Sequence, residues 1–471
     1  MSGFFEIGER KLRPGVYKRV DNAGGVEAVG ARAGICLAVV TGSWGALNEP
    51  VLFTAGDDIA SVIGEGTGAT VLSEMVAGGV QQIVVVRAGT GGTAATLALK
   101  DNAEESPVTV VTLTAKHPGA IALAASVKTA LDDTEMKEIV LYNGTTRLES
   151  FRFAAGTAEV DGIVAALAAS QFVTATKAAA GTGTLADTNQ APFTAGTNPT
   201  VNTAAYSAAL SAAESEEWDI ICVDTNDTAV HALVQSFVDR VYTAGLYPMA
   251  IIGEPSTVEF DTRIAHALAY NDDKIVYVLN GWKDTAGVVH EGYVATAKIA
   301  GMIAATAANI SMTHQVIPGA TALSEQLTVA QINKALRSGC LCMTLSRSRQ
   351  VWIEQGINTL TTLAANQDAG WKKIRRLRTR YELMKRIEET VEPLIGKVNN
   401  DENGRATLIA AAQRVIDAMY GEQKLASGGE IVESREYKPQ GDSAWFDIAV
   451  DDLDSLEHIY LTFRFRFSAE S

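Results

Sequence analysis

Between residues 218 and 308 the chain repeats one unit three times. A short run of apolar, β-branched residues ends in a turn, and an amphipathic or small-residue helix pattern follows. WDIICVD (218–224), YPMAIIG (247–253) and KIVYVLNG (274–281) are the strands. The helices span about 227–244, 259–270 and 291–308, the first with Val230, Leu233, Val234, Phe237, Val238 and Val241 on one stripe. Strands that are apolar throughout, rather than alternating, are buried on both faces. With helices between them they predict a parallel sheet covered on two sides.

The same pattern opens earlier. GICLAVVTG (34–42) and QQIVVVRAG (81–89) read as buried strands, with two short helical stretches, DDIASVIGEG and TVLSEMVAGG, between them. From about residue 93 the character changes to short β-rich runs: TLALKD, SPVTVVTLTAK, KEIVLYNG and RLESFRFAAG. Helical signal there is confined to about 157–170. This predicts a β-rich, sandwich-like domain inserted into the α/β chain. Residues 177–200, poor in large apolar side chains, read as a loop or linker. Past 340, helices at 366–391 and 404–420 and strands at 429–438 and 443–450 predict an α+β C-terminal domain. The expected organisation is an arm at 1–27, an α/β core at 28–92 and 201–360, the insertion with its linker at 93–200, a C-terminal domain at 361–458 and a second arm at 459–471.

Both arms carry strand patterns. In LEHIYLTFRFRFSAES, Ile459, Leu461, Phe463, Phe465 and Phe467 alternate with Tyr460, Thr462, Arg464 and Arg466. Near the start, RPGVYKRV places Val16, Lys18 and Val20 opposite Gly15, Tyr17 and Arg19, after a Pro-Gly pair typical of a sheet edge. A strand needs a neighbour along at least one edge. The arms could pair with each other, close sheets in their own domains, or pair in another molecule.

Composition narrows the functional classes. The formal charge of -16 over 471 residues argues against nucleic acid as the main partner. No apolar run reaches the length of a membrane span, and the opening residues show no signal-peptide core, so folding in a cytoplasm is expected. Four cysteines, none in a CxxC pair or at zinc spacing, read as buried free thiols.

Chemical motifs are incomplete. IVVVRAGTGGTA holds Gly89-x-Gly91-x-x-Ala94, the shape of a dinucleotide fingerprint, but the next residues read as strand, where the pyrophosphate needs a helix N-terminus. Asp224 and Asp227 stand at a strand's carboxyl end, where α/β enzymes keep acids, yet helix capping accounts for such residues too. GEGTGAT (64–70) lacks the lysine of a P-loop, and His290-Glu291 belongs to no H-E-x-x-H. No catalytic residue, metal site or cofactor is expected. One charged stretch stands out. WKKIRRLRTRYELMKRI (371–387) carries eight cations against the single acid Glu382. Trp371, Ile374, Leu377, Tyr381, Met384 and Ile387 form its apolar stripe. The remaining face reads as a solvated surface or a docking face for an acidic partner.

Three stretches carry a resemblance to a known family: KLRPGVYKR; HPGAIALAASV (117–127); and the C-terminal block of the basic helix, IGKVNNDENGR (395–405) and DDLDSLEHIYLTFRF (451–465). The chain resembles the tail sheath proteins of contractile phage tails and R-type bacteriocin particles, in the form found in phages and prophages of Gram-positive bacteria. The resemblance implies a structural subunit without catalysis. Such subunits stack as sixfold rings around a tail tube, between baseplate and terminator proteins, and contract to drive the tube through a cell envelope. It implies residence in a virion tail or tail-like particle. It also implies that the arm residues Val16, Tyr17, Lys18, Val20, Ile459, Leu461, Phe463, Phe465 and Phe467 add strands to neighbouring subunits. Lys372, Lys373, Arg375, Arg376, Arg378 and Arg380 are the expected tube-binding face, and reversing Lys372, Arg376 and Arg380 is expected to leave melting nearly unchanged. An α/β enzyme using the Asp224 crevice, or a non-contractile shell protein, is the alternative.

Overall fold

The computed structural model describes residues 2–4, 16–18, 34–178, 183–365 and 367–465. The chain divides into two compact units, Ala33–Arg378 with Asp454–Ser471, and Met1–Arg32 with Thr379–Leu453.

The larger unit is built on a seven-stranded sheet. Its spatial order is Cys340–Leu341, Ile275–Val278, Met249–Gly253, Ile220–Val223, Cys36–Val40, Gln82–Arg87, Pro50–Thr54. Neighbours are parallel except at the last pair, where Pro50–Thr54 runs antiparallel to Gln82–Arg87. Cys36–Val40, Ile220–Val223, Met249–Gly253 and Ile275–Val278 are buried at every position, as their unbroken apolar runs require. Thr228–Thr243 lays Val230, Val234, Phe237, Val238 and Val241 against the sheet, its start capped by Asp227, which accepts from the Ala229 N–H. On the other side of the sequence pattern, Tyr293–Ala305 and Thr67–Gly78 pack backbone to backbone. A Cβ on Gly301 would lie 2.1 Å from the Met75 carbonyl oxygen, so nothing larger than glycine fits.

The insertion leaves the sheet after Arg87 and returns at Ile220. One sheet has the order Thr146–Ala154, Met136–Asn143, Leu123–Thr129, Thr188–Pro192, and the second Val173–Lys177, Thr109–Ala115, Thr96–Lys100. Val111, Leu113, Ala125, Val127, Ile139 and Leu141 fill the space between, and the helix Glu159–Leu167 adds Ile163. The stretch read as a loop, 177–200, is part of this fold. Thr188–Pro192 pairs with Leu123–Thr129, and single bridges join Thr194 to Thr96, Thr197 to Thr93 and Thr200 to Thr90. Its strand character was hidden because two buried anchors, Leu185 and Phe193, suffice once the ladder supplies backbone bonds.

Arg87 mounts the insertion on the core. Its guanidinium, at the end of a sheet strand and 2% exposed, donates to Gly42 O from Nε (3.0 Å) and Nη2 (2.6 Å), and from Nη1 to Gly45 O and Pro118 O (both 2.7 Å). Pro118 belongs to the HPG turn of the insertion. The next residue, Gly119, sits so close that a Cβ would meet the Ser43 carbonyl oxygen at 1.9 Å. Trp44 completes the joint by stacking on Phe172 and edge-on against His117. Burial lowers the Arg87 pKa to about 10, which leaves it charged at neutral pH.

The smaller unit packs the end of the helix Ile374–Val391 and the helix Glu402–Gly421 on the hairpin Glu430–Glu433/Phe446–Ala449. Leu383, Ala412, Ile416, Met419, Leu425 and Ile431 are its core.

Arg87→Met should keep the hydrophobic stem but strand three carbonyls. A buried unpaired acceptor costs about 1–3 kcal/mol, so urea denaturation is expected to show the larger unit destabilised by several kcal/mol. A midpoint equal to wild type would show that the joint does not rest on the guanidinium.

Candidate functional site

The crevice at the switch point of the sheet is the first place to look. It lies at the carboxyl ends of Cys36–Val40 and Ile220–Val223, from which the chain proceeds to opposite sides. Asp224 fills it. Oδ2 accepts from Thr41 N (2.8 Å), Thr41 Oγ1 (2.7 Å) and Thr67 Oγ1 (2.5 Å), and Oδ1 accepts from the Tyr206 hydroxyl (2.7 Å). Both carboxylate oxygens are occupied by the chain itself. Burial and then the Asp224 charge push the Tyr206 phenol far above its ordinary range. Asn226 accepts from Tyr293 N (2.8 Å) and Asp227 caps its helix, so the capping reading of this stretch holds for Asp227.

The glycine loop after Arg87 leads into the strand Thr96–Lys100, not into a helix. His231 is buried against Thr225 O (3.0 Å), and burial lowers its pKa. His290 lies between Glu74 (3.1 Å) and Asp284 (3.4 Å), stacked on Trp282. All four cysteines are free and buried, and burial raises the Cys340 thiol to about 12. Among the described residues no group of three or more His, Cys, Asp or Glu could hold a metal ion, and no helix is long and apolar enough to cross a membrane.

The arms are different. Ile459, Leu461, Phe463 and Phe465 are 66, 71, 74 and 86% exposed, and Tyr460 on the opposite side is 91% exposed. Residues 459–465 enter no strand ladder among the described residues. Val16, Tyr17 and Lys18 form a strand that runs parallel to Ser2–Phe4. Val20 and Phe467 lie outside the described residues. The hairpin Glu430–Glu433/Phe446–Ala449 is a two-stranded sheet, with no third strand among the described residues. Ile431 and Ile448 are directly opposed and share a face, yet Ile431 is buried and Ile448 is exposed. Ile431, Ile448 and Phe446 share that face with Glu433, and it is incompletely covered at its Phe446–Ala449 edge.

The basic helix is less exposed than its run of charge suggests. Of its six named cations none is exposed. Lys372 donates to Thr361 O (3.0 Å), Arg375 to Asn309 O (2.7 Å) and Arg378 to Thr306 O (2.6 Å). Lys373 pairs with Asp454 (2.7 Å) and Glu457 (3.2 Å), Arg376 with Asp368 (3.3 Å) and Arg380 with Asp452 (3.1 Å). The expected apolar stripe is present at Ile374, Leu377 and Tyr381, all buried. Lys373, Arg376 and Arg380 meet acids up to some eighty residues away in sequence, so charge density alone could not show that these charges are paired within the chain. Glu457 and Arg87 were the residues that sequence reasoning missed. The signal for Arg87 was a lone cation closing the apolar run IVVV. Glu457 had none beyond its place in an acidic segment.

Residues 199–359 match the family model described as the phage tail sheath protein central domain. About a third of the chain is thus similar to that family's central domain. Solved sheath proteins share the wider fold. The sheath tail protein of Desulfitobacterium hafniense is 20% identical with a TM-score of 0.69, covering 93% of this chain and 100% of that one. That of Listeria innocua is 20% identical with a TM-score of 0.70, covering 89% and 95%. The helical sheath of the anti-feeding prophage, in its contracted state, is 11% identical with a TM-score of 0.53, covering 97% and 99%. No curated protein matches the chain in sequence. The sheath proteins it resembles are structural proteins, not enzymes.

Changing Lys372, Arg376 and Arg380 together to Glu should now lower the melting temperature, because two of the three substitutions set carboxylates against Asp368 and Asp452. A melting curve superimposable on wild type would return these cations to a solvated face.

Proposed function

We propose that this chain is the structural subunit of a contractile sheath, and that it polymerises by lending its terminal strands to neighbouring copies. The observation that carries the reading is the 459–465 segment: an alternating apolar sequence, exposed throughout, that joins no ladder among the described residues. The hairpin Glu430–Glu433/Phe446–Ala449 supplies a matching acceptor. A two-stranded sheet is marginal by itself. A strand added beside Phe446–Ala449 in another copy would bring Phe463 and Phe465 over the exposed Ile448 and provide main-chain bonds in register. The contact is heterologous, so repetition builds an open helical array, which closes into sixfold rings around a tail tube, with baseplate and terminator proteins at its ends. The Asp224 network supports a structural role further, because it fills the crevice that an α/β enzyme would use.

Contraction in this reading draws on an extended assembly held above a better-packed one, while rigid bodies turn on paired arms. The particle is a virion tail or tail-like body whose subunits fold in the host cytoplasm. Contact of an acidic tube with Lys372, Lys373, Arg375, Arg376, Arg378 and Arg380 is then a competition with the chain's own carboxylates and carbonyls. That keeps each contact weak, as a sheath that widens away from its tube requires.

Removing residues 459–471 should leave a folded, soluble protein that forms no tubes or rings by electron microscopy, while the full chain does. Normal polymers from the truncated chain would overturn strand exchange through this arm. Unfolding or immediate aggregation would place the strand in its own subunit's core.

A further inference from the structure

The arm's exposed segment begins two residues after one whose side chain is almost fully buried. Glu457 has a side-chain exposure of 6%. Its Oε1 accepts from the hydroxyls of Ser311 (3.0 Å), Thr313 (3.0 Å) and Ser455 (2.9 Å), and its Oε2 lies 3.2 Å from Lys373 Nζ and 3.5 Å from Gln355 Nε2. The hydroxyl of Thr313 also accepts from Gly356 N (3.0 Å), so the socket is tied to the core's backbone. Lys373 is shared with Asp454 (2.7 Å), three residues upstream. Flanking side chains do not share this burial: Leu456 is 81% exposed and Ile459 66%. A carboxylate held by three hydroxyls and an ammonium, between the exposed Leu456 and His458, is a built socket and not a solvated acid.

We infer that Glu457 is the anchor of the C-terminal arm, a positioning residue that fixes where the strand leaves its own subunit and so where it can meet the next one. The inference rests on the strand-exchange reading for its purpose, but the anchor itself is a property of one chain. An arm pinned at its root samples a smaller volume, which raises the effective concentration of its strand at an acceptor placed at a fixed distance. The same pin keeps Lys373 engaged within the chain. Release of Glu457 therefore frees the arm's root and leaves Lys373 to Asp454 alone.

The anchor carries its own pH signature. Burial alone would raise the Glu457 carboxyl, but the Ser455 hydroxyl, the Lys373 charge and the Thr313 hydroxyl outweigh it and hold the carboxyl below its usual range. The charged groups facing the socket are Lys373 and, through it, Asp454, which lies 3.9 Å from Arg375. A carboxyl with a depressed folded pKa contributes stabilisation above its unfolded value, and that contribution is lost as pH falls through the folded one.

The test uses the full chain with Tyr460→Cys carrying a fluorophore; the four native thiols are buried. Anisotropy reports whether the arm's root is held. In the Glu457 protein it should be high at pH 7 and fall as the solution is acidified below the ordinary carboxylate range. Glu457→Gln should lower it at pH 7 and abolish the acid step, with circular dichroism unchanged. Lys373→Met, which removes the facing cation and leaves Glu457 in place, should shift the step to higher pH. Equal anisotropy and an equal acid profile in all three proteins would overturn the anchor. Light scattering separates the two claims: if Glu457→Gln frees the arm but polymers grow as in wild type, the anchor stands and strand exchange through this arm falls.

Discussion

Asp224 ties the core together at the point where its topology divides. One carboxylate receives bonds from the loop after Cys36–Val40, from the start of Thr67–Gly78 and from Thr203–Ala212, while standing at the end of Ile220–Val223. In an open α/β sheet this position is a crevice that faces ligands. Here four donors from the chain itself satisfy it. The consequence is a carboxylate whose oxygens are taken up in joining four segments of the core.

Rigidity extends to the insertion through Arg87. A buried cation is costly unless its donors are satisfied, and four contacts to three carbonyls satisfy it without a partner carboxylate. Because those carbonyls come from both sides of the joint, the β-rich domain is mounted on the core rather than hung from it. Trp44 and the close approach at Gly119 remove the remaining slack.

Electrostatics at the basic helix work inward. A run of cations on a chain of charge -16 suggests an external acidic partner. Instead the acids at 452, 454 and 457, on the segment leading to the arm, fold back onto cations of that helix. Each pair is half-buried, where hydrogen bonds to fixed partners matter more than net charge. The positive run and the acidic run are two sides of one set of contacts, separated by some eighty residues of chain.

The alternation of strands and helices, the buried runs that demand a two-sided parallel sheet and the inserted β-rich stretch were all written in local periodicity, because burial on one or two faces imposes its own spacing on apolar residues. The failed dinucleotide fingerprint was legible for the same reason, since the strand after Gly91 shows in TLALK. Tertiary structure alone decided three things. The threonine-rich stretch 177–200 became a sandwich edge because backbone pairing needs a neighbour, not a hydrophobic sequence. Arg87 became a joint because its three carbonyl partners are brought from separate loops. Lys373 and Arg380 found acids within the chain because a charge's meaning depends on what folds against it, and no local pattern records a partner that distant.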